Sequence, residues 1–223
     1  MVNSISSVEE FEKIYWDYYQ TLEKEFLSTE NFLAIDEINE NAYSIAYMKL
    51  LLEIGSEVDI LSKQLCSIID CNFNAEQSKM PTYCRTIDRM LPNFRNDSVI
   101  IRRKREFTPW LKVFEHCGNR NAEYSWWQIY NGVKHNRNAC EYGSLPTYKM
   151  SNQQNVLFAL GALFQLEMYY LREVIKLYQL DNQIYPLQPI VSSSLFTLKS
   201  MSLYFERQTY SEYLFDDIRV RMI

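Results

Sequence analysis

Two polar residues past the middle of the chain, Asn131 and His135, have side chains that could form a small polar site in which the histidine transfers protons. They lie four residues apart, so on a helix they share one face. A histidine can move a proton at the 2′-hydroxyl or at the leaving oxygen of RNA. Cleavage without a metal also needs a cation that holds the phosphate as negative charge builds up. The residue before Asn131 is Tyr130, which can donate a hydrogen bond but carries no positive charge.

The residues around this pair allow more than one role for it. Lys134 and Arg137, or a residue of a partner subunit, could supply the missing cation. His135 has an alternative role, because a histidine in the last turn of a helix can bond free carbonyl oxygens and is favoured by the helix dipole. Trp126 and Trp127 are expected to anchor the core, and base stacking is the weaker alternative.

Positive charge is concentrated between residues 85 and 105, which hold seven basic side chains against two acidic ones, a net of +5. The densest run comprises Arg102, Arg103, Lys104 and Arg105. RNA or another anion is expected to bind there if it binds at all. Residues 1 to 40 hold ten acidic side chains against two lysines, a net of −8. The alternative is therefore a solvated basic loop that pairs with the acidic first helix.

Apolar residues at intervals of three and four predict helices along most of the chain. Three long helices are predicted at Ser7 to Ser28, Asn41 to Asp70 and Asn152 to Leu180. The buried stripe of the first is predicted to be Phe11, Ile14, Tyr15, Tyr18, Leu22 and Phe26. Shorter helices are predicted at Tyr83 to Leu91 and Ala122 to Lys134, and Ser98 to Phe107 is predicted as a strand or an extended basic loop. Gly55 indicates close approach of another helix, with local flexibility as the weaker alternative.

These elements predict an all-α protein built as an up-and-down helical bundle over residues 1 to 180. An irregular basic insertion is predicted at about 71 to 121. Residues 181 to 223 are predicted to form a C-terminal extension that packs on the bundle.

Composition argues against several classes of protein. The five cysteines are irregularly spaced and only two histidines accompany them, so no zinc site or other metal site is expected. No glycine-rich phosphate loop or serine nucleophile motif occurs, which argues against NTPases and serine hydrolases, and no cofactor is expected. The first residues lack the pattern of a signal peptide, and the longest apolar run has nine residues, far below the ~20 of a membrane helix. We therefore expect a cytoplasmic protein that does not enter membranes.

Over residues 8 to 180 the chain resembles the HEPN superfamily. The resemblance rests on four features: Leu50-Leu-Leu-Glu53-Ile-Gly-Ser-Glu57 in a long helix, Phe107-Thr-Pro109-Trp110, Trp126-Trp-x-x-Tyr130-Asn131-x-Val-Lys134-His135, and the closing long helix. Membership implies a four-helix bundle, usually a homodimer, and many members are metal-independent RNases in phage defence, toxin systems and RNA processing.

The family signature is an arginine, often followed by a polar residue such as asparagine, and then a histidine. Laid on this chain, the polar residue matches Asn131 and the histidine matches His135, whereas Tyr130 occupies the arginine position. The resemblance further implies that Glu53 and Glu57 reach into the bundle opposite His135, although a solvated helical face fits them equally well.

Two functions follow from these observations. The first is an RNA-related role in phage defence or stress response, either RNA binding or weak metal-independent RNase activity, and the basic stretch favours it. The second is a catalytically inactive interaction module that dimerises or holds a protein partner, and Tyr130 in the arginine position favours that alternative.

Overall fold

The protein is described by a computed structural model that covers residues 8–102, 104–140, 144–179 and 192–200. The described chain is mostly helical. The helices are α1 (Val8–Phe11), a π-helical turn (Glu12–Trp16), α2 (Asp17–Ser28), α3 (Ile45–Ile69), α4 (Met80–Met90), α5 (Leu111–Gly118), α6 (Trp126–His135) and α7 (Gln153–Gln179). Single 3-10 turns occupy Thr29–Asn31, Glu37–Asn39, Phe94–Asn96 and Thr147–Met150. The strands are β1 (Val99–Ile101), β2 (Arg105–Phe107) and β3 (Phe196–Leu198).

The helix α7 lies at the centre of the molecule. Every residue from Ala159 to Leu171 is buried, as expected for a helix that other elements cover on all sides. Its most extensive neighbour is α3, which begins later than predicted because the Ser44 hydroxyl accepts a hydrogen bond from the backbone N–H of Tyr47, at 3.0 Å, and caps the helix there. No helix in the described part of the chain is both long enough and apolar enough to cross a membrane.

The first helical segment buries a different face from the predicted one. Ile14 and Tyr18 are 49% and 40% exposed, whereas Trp16 and Tyr19 are buried. The reason is the π-helical turn at Glu12–Trp16, which adds a residue to one turn and so rotates the following side chains about the helix axis. The prediction of Ile14 and Tyr18 as core residues is therefore wrong.

The predicted helical class is confirmed in part: the described chain is mostly helical, but it also contains a three-stranded antiparallel sheet in the order β2-β1-β3 that the all-α prediction did not include. The strands β1 and β2 form a hairpin in which Val99 pairs with Phe107. On the other edge of β1, Val99 also pairs with Leu198 of β3. The strand alternative for Ser98 to Phe107 is thus confirmed.

The segment 192–200 is the described part of the predicted C-terminal extension, and it packs on the bundle through Glu23. The buried Glu23 carboxylate accepts hydrogen bonds from the Ser193 hydroxyl and from the backbone N–H of Leu195, the latter at 3.0 Å. The Leu195 carbonyl accepts a further bond from the backbone N–H of Arg102 at 2.9 Å. The rest of the extension lies outside the described residues.

The predicted insertion at about 71 to 121 is more regular than expected. It contains α4, the β1–β2 hairpin and α5. The helix α4 begins at Met80 because Pro81 lies in its first turn, where a proline costs no hydrogen bond. The helix α5 was not predicted from the sequence.

Candidate functional site

The helix α6 presents the residues that sequence analysis selected, and its start is fixed by a capping box. The backbone N–H of Trp127 donates to the Ser125 hydroxyl at 3.2 Å, and the backbone N–H of Ser125 donates to the Gln128 side chain at 3.1 Å. These bonds satisfy backbone donors that a helix start leaves free. The helix therefore begins at Trp126 and not at Ala122 as predicted.

Both tryptophans of α6 are buried. The Trp126 indole donates to the Pro109 carbonyl at 2.9 Å, and its ring lies edge-on against Trp110 at 5.9 Å between centroids. The Trp110 indole in turn donates to the Ala162 carbonyl of α7 at 3.0 Å. The prediction that Trp126 and Trp127 anchor the core is confirmed, and these bonded indoles hold α6 against the centre of the molecule.

Tyr130, which stands where the family signature has an arginine, is a core residue with only 2% of its surface exposed. Its ring fills the space that a side chain at Gly55 of α3 would take, since a Cβ atom there would lie 2.3 Å from Tyr130 Cδ2. Close approach at Gly55 is therefore confirmed. The Tyr130 hydroxyl accepts a hydrogen bond from the Lys134 ammonium at 3.2 Å, so the phenol reaches from the α3–α6 contact towards the surface.

Asn131 and His135 do not form a shared polar site. The half-buried Asn131 amide donates back to the Trp127 carbonyl of its own helix at 2.8 Å, while His135 is exposed. The Val133 carbonyl near the helix end is bonded by Arg137 Nε at 3.1 Å. Arg137 thus has the carbonyl-bonding role that the sequence allowed for His135. Within the described residues, the His135 ring has no hydrogen-bond partner.

Glu53 and Glu57 lie on a different side of α3 from α6. Gly55 faces Tyr130, and a residue two positions along a helix is rotated by about 200°. Glu53 forms an ion pair with Lys49 at 3.8 Å, and Lys49 pairs with Glu25 of α2 at 3.0 Å. The single chain therefore does not bring Glu53 and Glu57 opposite His135.

Glu57 of α3 lies near a second buried acid, Glu167 of α7, which was not predicted from the sequence. Glu167 of α7 is fully buried, and neither of its carboxyl oxygens has a hydrogen-bond partner among the described residues. Burial raises the pKa of Glu167 well above its ordinary value, and the charge of Glu57 raises it further. Burial also raises the pKa of Glu57. Two such carboxyls close together favour a shared proton over two negative charges.

Two tyrosines border this acid pair. Burial raises the pKa of the Tyr15 hydroxyl, its hydrogen bond with Tyr170 lowers it, and the charges of Glu57 and Glu167 raise it again. In the described part of the chain, no three His, Cys, Asp or Glu side chains are grouped so that they could hold a metal ion. The sequence signal for this cluster is Glu167 itself, the one charged residue between Val156 and Leu171.

The basic stretch is largely neutralised by acidic partners. Arg102 forms a bidentate ion pair with Glu30, with one contact of 2.8 Å, and this hydrogen bonding lowers the pKa of Glu30. Arg105 pairs with Glu40 and, at 3.6 Å, with Glu37.

Lys104 is exposed and has no ion pair among the described residues, whereas Arg103 lies outside them. Outside the run itself, Arg89 pairs with Asp70, and Arg95 pairs with Asp88 at 3.4 Å. The basic stretch thus pairs with acidic residues, but its partners Glu30, Glu37 and Glu40 follow the first helix and do not belong to it, so the alternative is correct about pairing and wrong about the partner element.

Comparison with known proteins gave no match: no family model, no curated protein and no solved structure corresponds to this chain.

Proposed function

We propose that this chain is a HEPN-like helical bundle that acts as a protein-interaction module and does not cleave RNA at α6. The observation that supports this most directly is the position of Tyr130. A signature arginine would have to point its guanidinium at a phosphate in solvent, whereas the ring of Tyr130 is buried against Gly55. The arginine position itself thus has no cation to stabilise developing phosphate charge, and the loss of one such group typically costs ~10²- to 10³-fold in rate.

The remaining polar groups of the motif support the same conclusion. The Asn131 amide and Arg137 Nε are bonded to carbonyls of α6. A general base must lie within hydrogen-bond reach of the proton that it moves and close to the group that holds the phosphate. His135 is exposed and the glutamates of α3 lie on another side of that helix, so a single chain does not assemble such a constellation.

An exposed apolar surface supports the interaction role. On the connection between α2 and α3 and the first residue of α3, Phe32, Ile38 and Ile45 are 92%, 88% and 81% exposed. The Tyr43 ring lies edge-on against Tyr148 at 6.1 Å. We name Phe32, Ile38, Tyr43, Ile45 and Tyr148 the apolar end. Large apolar side chains exposed to this extent and close together in sequence are typical of interaction surfaces.

The partner that we propose for the apolar end is a second copy of the chain. A two-fold interface places the same surface on both subunits, so it must offer complementary groups of both signs. The apolar end has a positive group in Lys149, which lies 5.9 Å from the centroids of both tyrosine rings. A negative group stands beside it in Glu37, which directly precedes Ile38 and remains 77% exposed although it also pairs with Arg105 at 3.6 Å.

RNA binding without cleavage is the second candidate. One observation favours it: the Lys134 ammonium lies 3.2 Å from the Tyr130 hydroxyl, so a cation stands near the arginine position, next to the exposed His135. Binding by these residues would weaken as salt rises.

A cleavage assay with labelled single-stranded and structured RNA in the presence of EDTA tests the absence of RNase activity. We expect the wild-type chain and His135→Ala to give the same background rate. Tyr130→Phe, which keeps the ring, should also give this rate and fold normally. Brisk cleavage by the wild-type chain that is lost in His135→Ala would overturn the proposal. A salt-dependent RNA affinity without cleavage, reduced by Lys134→Ala, would instead favour the second candidate.

A further inference from the structure

Two of the five cysteines are placed side by side by the fold. Cys84 lies in α4 and Cys117 in the last turn of α5, and their sulfur atoms are 3.2 Å apart. A disulfide has an S–S length of about 2.05 Å, so a closure of about 1.2 Å would bond them. The other three, Cys66, Cys71 and Cys140, have no such neighbour among the described residues.

The two thiols have different surroundings. Cys84 is buried, and the hydrogen bond that it donates to Cys117 raises its pKa, as does burial. Cys117 is half-buried, and its pKa is lowered first by the hydrogen bond that it accepts and also by the charge of Arg85, although burial opposes this. The thiolate is the reactive form of cysteine. Cys117 is therefore the nucleophile of the pair, and Cys84 is positioned to resolve it.

We infer that Cys84 and Cys117 form a redox pair that a small hydroperoxide converts into a disulfide between α4 and α5. In the first step the Cys117 thiolate attacks a peroxide oxygen. An S–O bond forms to the terminal oxygen, the O–O bond breaks, and Cys117 becomes a sulfenic acid. The leaving group is an alkoxide, or hydroxide when the oxidant is hydrogen peroxide, and it takes up the proton that the Cys117 thiol released. In the second step the Cys84 sulfur attacks the Cys117 sulfur, the S–S bond forms, the S–O bond breaks, and the departing hydroxide takes the Cys84 proton. Overall, two thiols and one hydroperoxide give one disulfide, water and the alcohol, or a second water when the oxidant is hydrogen peroxide.

The disulfide would join α4 and α5, the two helices that flank the β1–β2 hairpin. Residues 84 and 117 are 33 positions apart in the sequence. Cross-linking a loop of this length restricts the unfolded chain more than the folded one. The expected result is a rise of roughly 5 to 10 °C in Tm on oxidation, reversed by a thiol reductant. The inference rests only on the geometry of α4 and α5 and is independent of the function proposed for α6 and the apolar end.

The test uses the full chain, first reduced, then freed of reductant and treated with one equivalent of hydrogen peroxide. We expect the number of titratable thiols in the denatured protein to fall from five to three. Non-reducing peptide mapping should show a link between Cys84 and Cys117. Retention of all five thiols, or links distributed equally over Cys71 and Cys140, would overturn the inference.

Variants separate the two roles. Cys84→Ser should leave a Cys117 sulfenic acid that dimedone traps, whereas Cys117→Ser should leave Cys84 unreacted. Cys140→Ser, an exposed position, is the matched control and should still form the disulfide. If a serine variant fails to fold, the wild-type peptide map still tests whether Cys84 and Cys117 form the disulfide. A dimedone adduct on Cys84 and none on Cys117 would contradict the assigned roles.

Discussion

A carboxyl group is stable in the core of a helical protein only if it is paired with a basic group or keeps its proton. Glu167 keeps its proton. No basic side chain neutralises it within the described chain, and burial together with the charge of Glu57 raises its pKa well above the ordinary value. Ionisation of both groups would place two negative charges in a medium that solvates them poorly. At the residue scale, Glu167 is therefore a neutral acid that the fold tolerates near Tyr15 and Tyr170.

The substitution Glu167→Gln should make the protein more stable at alkaline pH. The folded chain holds the Glu167 proton above the ordinary glutamate pKa of about 4.3, whereas the unfolded chain loses it. The folded state then binds more protons, so the free energy of unfolding falls as pH rises through this range. Glutamine cannot ionise, so the variant does not lose this part of the free energy of unfolding as pH rises. At pH 8 we expect the Tm of the variant to exceed that of the wild-type chain by roughly 2 to 4 °C for each kcal/mol of unfolding free energy gained. This difference in Tm should disappear as the pH falls towards about 4.

Thermal unfolding followed by circular dichroism across this pH range measures the effect. Glu76→Gln, at an exposed position, is the control and should shift little at any pH. A Tm difference for Glu167→Gln that stays constant with pH would show that Glu167 is ionised in the folded chain.

At the scale of helices, the contact between α3 and α6 determines what the α6 motif can do. Gly55 lets the Tyr130 ring come against the α3 backbone, and this contact fixes the rotation of α6 about its axis. With Tyr130 turned inward, Asn131 is half-buried and His135 points to solvent. The same contact turns Glu53 and Glu57 away from α6. The position of one ring thus explains why the predicted residues do not assemble.

The substitution Gly55→Ala should destabilise the protein, because its Cβ would lie 2.3 Å from the Tyr130 ring. Overpacking of this kind costs about 1 to 3 kcal/mol, more than the ~1 kcal/mol that alanine gains over glycine inside a helix. Gly118→Ala is the matched control, since a Cβ there meets nothing within 4 Å, and it should be neutral or stabilising. Urea unfolding of both variants measures the difference. Equal stability for the two would contradict the close contact, and Gly55→Ala combined with Tyr130→Ala should show coupling between the sites.

The long helices were predictable because their apolar spacing depends only on local sequence. The predicted helix Asn41 to Asp70 is observed as Ile45–Ile69, and its start is corrected by the Ser44 cap. The strand β3 was not predictable, because Val99 finds Leu198 only after the chain has folded. Which side chains contact each other across two helices could not be predicted from the sequence either. Tyr130, predicted as a site residue, packs in the core against Gly55. The nearness of Glu167 to Glu57 became visible only when α3 and α7 were placed together.

At the scale of the whole molecule, the distribution of apolar surface is uneven. The core is rich in buried aromatic residues, yet Phe32, Ile38 and Ile45 remain more than 80% exposed. Burying such a side chain is worth about 1.5 to 3 kcal/mol, so covering all three would offset much of the entropy lost on association. The ion pairs of Arg102 and Arg105 with acidic residues leave less positive surface for RNA. Both features support the proposal that the partner is a protein and not a nucleic acid.

Light scattering coupled to size-exclusion chromatography tests the interaction role most directly. We expect the wild-type chain to elute at twice its 26.7 kDa mass at micromolar concentrations. The double variant Ile38→Asp with Ile45→Asp should elute as a folded monomer, because a dimer would bury its new charges. Ile60→Asp, which changes an isoleucine 44% exposed on α3 outside the apolar end, is the matched control and should stay dimeric. A wild-type chain that remains monomeric at high micromolar concentration, or a dimer that survives both aspartates, would contradict the proposed use of the apolar end.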